Sequence, residues 1–259
     1  MLIGALPRLR AKIEGMAAHS QTYPLEQVLL HSPVANPGKI VGAPVNYREH
    51  AHESAQDQEI AHGRRIDGPE KWGLFLKAPS ALSGSENNLA LRFPHRRTDH
   101  EVELVAVIGK RCSCIQAQEA PDYVAGYALG LDVTLRGPEF PSFRKSIDGY
   151  AVLGPWLTTA DEISDVGDID LSLSVNGVLR QSGLAREMIM PPSELIAFAS
   201  SFYTLEPGDL VYTGTPAGVG PIFPGDILKV SSNMLGGYEV KAIAHGSAGW
   251  VPGVWSGLR

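Results

Sequence analysis

Cysteine is nearly missing from this chain: two occur among 259 residues, Cys112 and Cys114, one residue apart. A disulfide framework is thereby excluded and the spacing suits no zinc knuckle, so both are expected to be reduced thiols of a cytoplasmic protein. Also absent is any apolar run of the roughly 20 residues that span a bilayer. The N-terminal MLIGALPRLRAKIEGM breaks its apolar run at Pro7, ahead of Arg8, Arg10 and Lys12, which is the wrong order for a secretory signal. Basic charge is short as well. With 22 Lys and Arg against 28 Asp and Glu, the formal net charge is -6, which argues against a nucleic-acid binder and leaves any anionic small substrate in need of local positive charge or a metal. The Gly-rich TGTPAGVGP, residues 213–221, lacks both the Lys-Ser/Thr of a P-loop and the spacing of a dinucleotide fingerprint, so nucleotide binding is excluded.

What is present is turn-forming sequence. Gly (28) and Pro (19) bound many short apolar runs, a pattern that favours strands over long helices. KIVGAPV, GLFLKA, EVELVAVIG, GYALGLDVT, DLSLSVNG, DLVYTG and DILKVSS all read as strands, and Asn176-Gly177 predicts a hairpin turn. Helices are expected to be few. SELIAFASSFYTL places Leu195, Ala199, Phe202 and Tyr203 on one stripe, follows Pro191-Pro192 with Ser193 as cap, and stops before Pro207. PDYVAGYAL predicts one further short helix. Residues 1–38 carry their own helical stretch and a Pro-Gly exit, and so form a small N-terminal segment or lid beside a main body over 39–259.

The stretch DHEVELVAVIGK, residues 99–110, holds the first chemical signal. At a period of two, Glu101, Glu103, Val105 and Val107 share one face and Val102, Leu104, Ala106 and Ile108 the other. Both faces are apolar beyond the start, so two carboxylates roughly 7 Å apart enter the margin of a core. Like charges held that close repel unless a cation sits between them. A third carboxylate, Asp132, stands amid apolar residues in GYALGLDVT. Three carboxylates without His or Cys at matching spacing favour Mg²⁺ or Mn²⁺ over zinc. Two alternatives stand beside that reading: a glycosidase-like acid and base pair for Glu101 and Glu103, and an Asp132 that caps a turn or pairs with Arg136. Asn46-Tyr47-Arg48-Glu49-His50 predicts a helix start with Asn46 as N-cap and Glu49 completing a capping box. His50 and Glu53 then share a helix face, as a general-base dyad or as a solvated ion pair. Arg144 and Lys145 read as a solvated loop.

Taken together and in order, KIVGAPVNYREHAHES, LFLKAPSAL, DHEVELVAVIGK, GYALGLDVT, RKSIDGYAVLGPW, LSLSVNGVLRQ and GDLVYTGTPAGVGP resemble the fumarylacetoacetate hydrolase family over roughly residues 38–230. The resemblance implies a β-rich α+β fold, a mixed β-roll with few short helices, assembled as a homodimer. It implies that Glu101, Glu103 and Asp132 ligate Mg²⁺ or Mn²⁺, that Lys145 steadies an enolate beside it, and that His50 and Glu53 form a lid-helix dyad. It also implies that Gly214, Thr215 and Arg136 contact the substrate, a small 2-oxo acid. The implied activity is hydrolysis of a C–C bond of a 2,4-dioxo acid, acylpyruvate or fumarylpyruvate, in aromatic-compound breakdown; the alternative is a decarboxylase or isomerase (tautomerase) of a related 2-oxo dicarboxylic acid of the homoprotocatechuate-pathway type. Departures lie around the lid and pocket mouth. Pro44-Val45 stands where the family more often has Gly-Leu, Ser54 to Lys71 is long, GPEFPSFRKS lacks a Gln, and GGYEVKAIAH replaces the usual closing strand.

Overall fold

The computed structural model describes residues 2–61 and 67–246. Its largest sheet is mixed and seven-stranded, with the spatial order Phe75–Lys77, Ile40–Gly42, Leu210–Tyr212, Val102–Ile108, Val124–Asp132, Ala151–Thr159, Leu82–Gly84. Two pairings are parallel, Ile40–Gly42 with Leu210–Tyr212 and Leu82–Gly84 with Ala151–Thr159; the rest are antiparallel. A five-stranded sheet built on the Asp170–Val175 and Val178–Leu184 hairpin and a three-stranded sheet complete the curl. At the hairpin turn Asn176 and Gly177 both take positive φ, the conformation that this dipeptide adopts at little cost.

The apolar strand of residues 102–108 behaves as its two-faced pattern requires. Val102, Leu104, Ala106 and Ile108 enter one core, shared with the helix Pro192–Phe202 and the five-stranded sheet, while Val105 and Val107 enter a second. Ile3 and Val34 of the N-terminal segment lie in that second core, against Ile40, Val105 and Leu210. Burial on both sides leaves nowhere for solvent except the strand ends. Those ends matter here: Glu101 precedes one strand, Asp132 closes its neighbour, and Thr213 and Gly214 leave a third, all at the same end of the sheet.

Several local expectations are corrected. Asn46 does not cap a helix: the helix Arg48–Gln56 has Tyr47 at its N-cap with no side-chain cap bond. Asn46 instead donates to the carbonyls of Met190 and Thr213, both at 2.8 Å, and accepts from the Met190 N–H, because a buried amide is better satisfied by three fixed backbone groups than by one. Ser193 is likewise inside the helix, whose N-cap is Pro191, and the apolar stripe runs through Leu195, Ile196 and Ala199 while Phe202 is 66% exposed. Within PDYVAGYAL only the first residues are helical, as a short 3₁₀ turn ending at Tyr123; Val124 onward is strand, where β-branched and aromatic residues pack on a pleated surface. GGYEVKAIAH is itself a closing strand, Gly236–Ala244, paired with Ile227–Ser232 and Leu89–Leu91. Of the long Ser54 to Lys71 connection, residues 62–66 lie outside the described residues. Among the described residues no helix is long and apolar enough to cross a membrane, and both cysteines are free.

Candidate functional site

Register brings the three carboxylates together. The Asp132 N–H donates to the Glu101 carbonyl at 2.9 Å, and Glu103 lies opposite Gly130, where a β-carbon would collide with Val105 and Tyr212. One oxygen each from Glu101, Glu103 and Asp132 lies within 4.8 Å of the others, and all three side chains are buried. Their partners differ sharply. Glu101 accepts from Arg136 at 2.7 Å and Lys145 at 2.8 Å, and Asp132 accepts from Lys77 and Lys145. Asp132 therefore pairs with two lysines and not with Arg136, which reaches Asp99 and Glu101 instead. Glu103 has one hydrogen bond, from the Gly214 N–H at 2.7 Å, and among the described residues no lysine or arginine pairs with it.

The electrostatics follow from those partners. Burial pushes the Glu101 carboxyl up, but the charges of Lys145 and Arg136 outweigh it and hold the group well below the usual carboxylate range. Burial and the Asp132 charge push Glu103 well above that range. A divalent cation would remove that conflict. An all-oxygen donor set with one carboxylate lacking a cationic partner fits a hard ion such as Mg²⁺ or Mn²⁺, and fits zinc poorly.

On the helix Arg48–Gln56, His50 Nδ1 and Glu53 Oε2 are 2.8 Å apart, and Glu53 Oε1 accepts from the Gly218 N–H at 3.0 Å. Both carboxylate oxygens are thus occupied, one on the imidazole and one on the loop after the Leu210–Tyr212 strand. A carboxylate on Nδ1 leaves Nε2 as the basic nitrogen. His50 lines a small inner cavity with Glu101, Glu103, Arg136, Arg144, Lys145 and Thr215. Gly214 takes φ +95° so that the loop can pass Asn46, whose β-carbon would lie 2.6 Å from an added one. Thr215 lines the cavity, but its hydroxyl donates to the Val102 carbonyl and accepts from Gln181 Nε2, so its proton is already committed.

Three contributors escaped the sequence reading. Lys77 is fully buried with its Nζ on Asp132 and the Tyr150 carbonyl; the signal was a lysine two residues from Phe75 on the buried face of a strand. Burial pulls its pKa down, and the Asp132 charge opposes that pull. Lys77→Met is expected to destabilise the protein by about 3 kcal/mol in urea unfolding, because it strands part of a buried carboxylate; a loss under about 1 kcal/mol would show that Lys145 alone suffices. Gln181 makes four bonds, to His100, Val102, Thr215 and Pro216, and gave no local signal at all. Arg144, read as solvated, is only 8% exposed.

His100, which bonds Gln181 at 2.9 Å, has its pKa lowered by burial from 6.5. The unfolded chain therefore takes up a proton before the folded one, and stability falls as pH drops below about 6.5. Unfolding midpoints at pH 7.5 and 5.5 are expected to separate by more in the parent than in His100→Asn, with a ceiling of about 1.4 kcal/mol per pH unit. Equal separations would assign the acid sensitivity elsewhere.

The fumarylacetoacetate (FAA) hydrolase C-terminal family matches residues 39–242. A maleylpyruvate hydrolase from Aquipseudomonas alcaligenes is 48% identical over 237 residues, covering 91% of this chain and 83% of that protein. Among solved structures, a maleylpyruvate hydrolase from Sphingobium sp. SYK-6 in complex with manganese(II) and pyruvate has a TM-score of 0.82 at 38% identity, over 95% of this chain and 85% of that one. A 5-carboxymethyl-2-hydroxymuconate delta-isomerase from Mycobacterium smegmatis has a TM-score of 0.72 at 29% identity, over 87% and 84%.

Proposed function

This chain belongs to the fumarylacetoacetate hydrolase family, and from that membership we propose that it hydrolyses a C–C bond of a 2,4-dioxo acid of the acylpyruvate, maleylpyruvate or fumarylpyruvate kind, formed in aromatic-compound breakdown. The observation that carries the hydrolytic reading is the His50–Glu53 pair, held at 2.8 Å, with His50 lining the same cavity as Glu101 and Glu103. Catalysis belongs to residues 39–259, with 1–38 as a supporting segment. The free cysteines suit a reducing compartment such as the cytoplasm, and the expected assembly is a homodimer.

Glu101, Glu103 and Asp132 would hold a Mg²⁺ or Mn²⁺ ion, which when bound supplies Lewis-acid polarisation of the 2-oxo acid end of the substrate. Every other part falls to side chains. Arg136 and the Gly214–Thr215 loop shape the pocket around the substrate's pyruvate half. His50 Nε2 takes a proton from water, and the resulting hydroxide adds to the C4 carbonyl. The C3–C4 bond then breaks, giving a carboxylic acid and the enolate of pyruvate, whose charge Lys145 Nζ steadies from its position beside Glu101 and Asp132. The proton held on His50 returns to C3. Orientation of the base comes from Glu53, which is fixed by Gly218.

The likeness to an isomerase favours a second reading, in which the same charge-steadying groups serve tautomerisation or decarboxylation without the attacking water. Product analysis separates the two. Chelator-treated protein, with and without added Mg²⁺ or Mn²⁺, is incubated with maleylpyruvate, fumarylpyruvate and acetylpyruvate, and pyruvate is assayed. Metal-restored pyruvate with the matching acid is the expected result; substrate consumed without pyruvate would replace hydrolysis by the second reading.

A further inference from the structure

The inner cavity opens into an outer cleft of about 490 Å³, and the two share Pro44, Ile60, Phe75, Pro141 and Arg144 among their walls. The outer cleft carries apolar and aromatic side chains, Trp72, Leu74, Phe140 and Tyr203 among them. Two of its residues are charged, Glu139 and Arg144. Glu139 is already satisfied, since each of its oxygens accepts from Arg96 at 2.8 Å.

Arg144 is not satisfied. Its guanidinium reaches only two backbone carbonyls, Glu139 at 3.3 Å and Leu135 at 3.4 Å, both long for a charged donor. Among the described residues no carboxylate pairs with it, whereas each neighbouring cation is fully matched: Arg136 to Asp99 and Glu101, Lys145 to Glu101 and Asp132. A buried cation without an anion is costly, and burial together with the charge of Arg136 lowers its pKa accordingly. A guanidinium offers five donors in a planar fork matched to a carboxylate, so the missing partner has a definite chemistry. Its place is also definite. Arg144 is one residue from Lys145, which serves the pyruvate end, and it lines both the inner cavity and the outer cleft.

We infer that Arg144 binds a second carboxylate at the distal end of the substrate, so that the enzyme selects 2,4-dioxo diacids over monoacids. This rests on the acylpyruvate-type reading above and adds to it the charge of the substrate's far half. The apolar cleft walls then pack the carbon chain between the two carboxylates.

The test compares kcat/KM for fumarylpyruvate, which ends in a carboxylate, with that for acetylpyruvate, which ends in a methyl group, in metal-loaded parent, Arg144→Gln and Arg144→Lys. The parent is expected to favour the diacid by tenfold or more. Arg144→Gln is expected to cut the diacid-to-monoacid ratio by about 100-fold, chiefly through KM, and Arg144→Lys, which keeps charge but not the fork, by about tenfold. A parent without preference, or equal losses on both substrates, would overturn the inference and leave Arg144 a strut for the turn over residues 135–139. Should Arg144→Gln fail to fold, the Arg144→Lys ratio decides. A binding arm separates failure of the site from failure of the reaction: calorimetry with 2-oxoheptanedioate and 2-oxoheptanoate, which lack the 4-oxo group and cannot be cleaved hydrolytically. If the parent turns over neither dioxo acid yet binds the diacid more tightly, and Arg144→Gln erases that difference, the hydrolytic reading fails and the inference stands. Equal binding in the parent overturns it.

Discussion

Glu103→Gln is expected to lower metal-supported turnover by about 10³-fold, roughly 4 kcal/mol of barrier, while leaving the metal-free protein as stable as the parent or more so. The two halves have one cause. Glu103 is buried beside Asp132 and Glu101 without a cationic side chain of its own, so its carboxyl is pushed above 4.5 in the folded state. A group raised in this way binds protons more tightly folded than unfolded, so its contribution to stability is present at low pH and is lost as pH rises through the folded value. At neutral pH the ionised form is a burden, and an amide removes it. The amide oxygen still accepts from the Gly214 N–H, now 2.7 Å from the carboxylate, and its NH₂ faces carboxylate acceptors, so no new unsatisfied group results. Metal should stabilise the parent by about 2.7 kcal/mol at a hundredfold excess over its dissociation constant, and the variant by much less. Melting curves with and without Mn²⁺ read this directly. A variant that melts lower without metal and keeps its metal-dependent rise would remove Glu103 from the ligand set.

His50→Ala is expected to reduce C–C hydrolysis by 10² to 10⁴-fold with little change in KM, the usual span for losing a positioned general base. Glu53→Gln should fall in the upper part of that range. With its oxygen on the Gly218 N–H, its NH₂ faces Nδ1 and favours the tautomer protonated on Nε2, and an amide no longer stabilises the imidazolium formed when water gives up its proton. The substrate contrast is more telling than the size of the loss. Keto–enol exchange of a 2-oxo acid needs no attacking water, so it should survive His50→Ala to a far greater degree than pyruvate release does. If hydrolysis stayed within tenfold of the parent, the base would have to be sought elsewhere, and the dyad would be a brace between helix and loop.

How much of this was legible in the sequence depends on the distance along the chain over which each contact acts. His50 and Glu53 are three residues apart, and Glu101 and Glu103 two, so helix and strand periods place each pair without knowledge of the fold. The two-sided burial of residues 102–108 followed from the same arithmetic. Asn46 failed because a good N-cap residue was claimed by Met190 and Thr213, which lie far away in sequence and offer a more complete set of bonds. Asp132 was visible as a carboxylate in an apolar run, yet its lysines arrive from residues 77 and 145, and Arg136, the nearer candidate, goes elsewhere. Arg144 shows the limit most clearly: in FRKSIDGY nothing distinguishes a solvated arginine from one that closes the wall of a cavity.

Glu53 has a consequence for the order of events. It and His50 ride on one helix, and one of its bonds crosses to a fixed loop at Gly218. On the proposed mechanism, an excursion of that helix would withdraw the base and its orienting acid as a unit. The arrangement would then work as an interlock: water would be activated only with the helix seated, and a dioxo acid in a half-open site would meet no base to trigger cleavage.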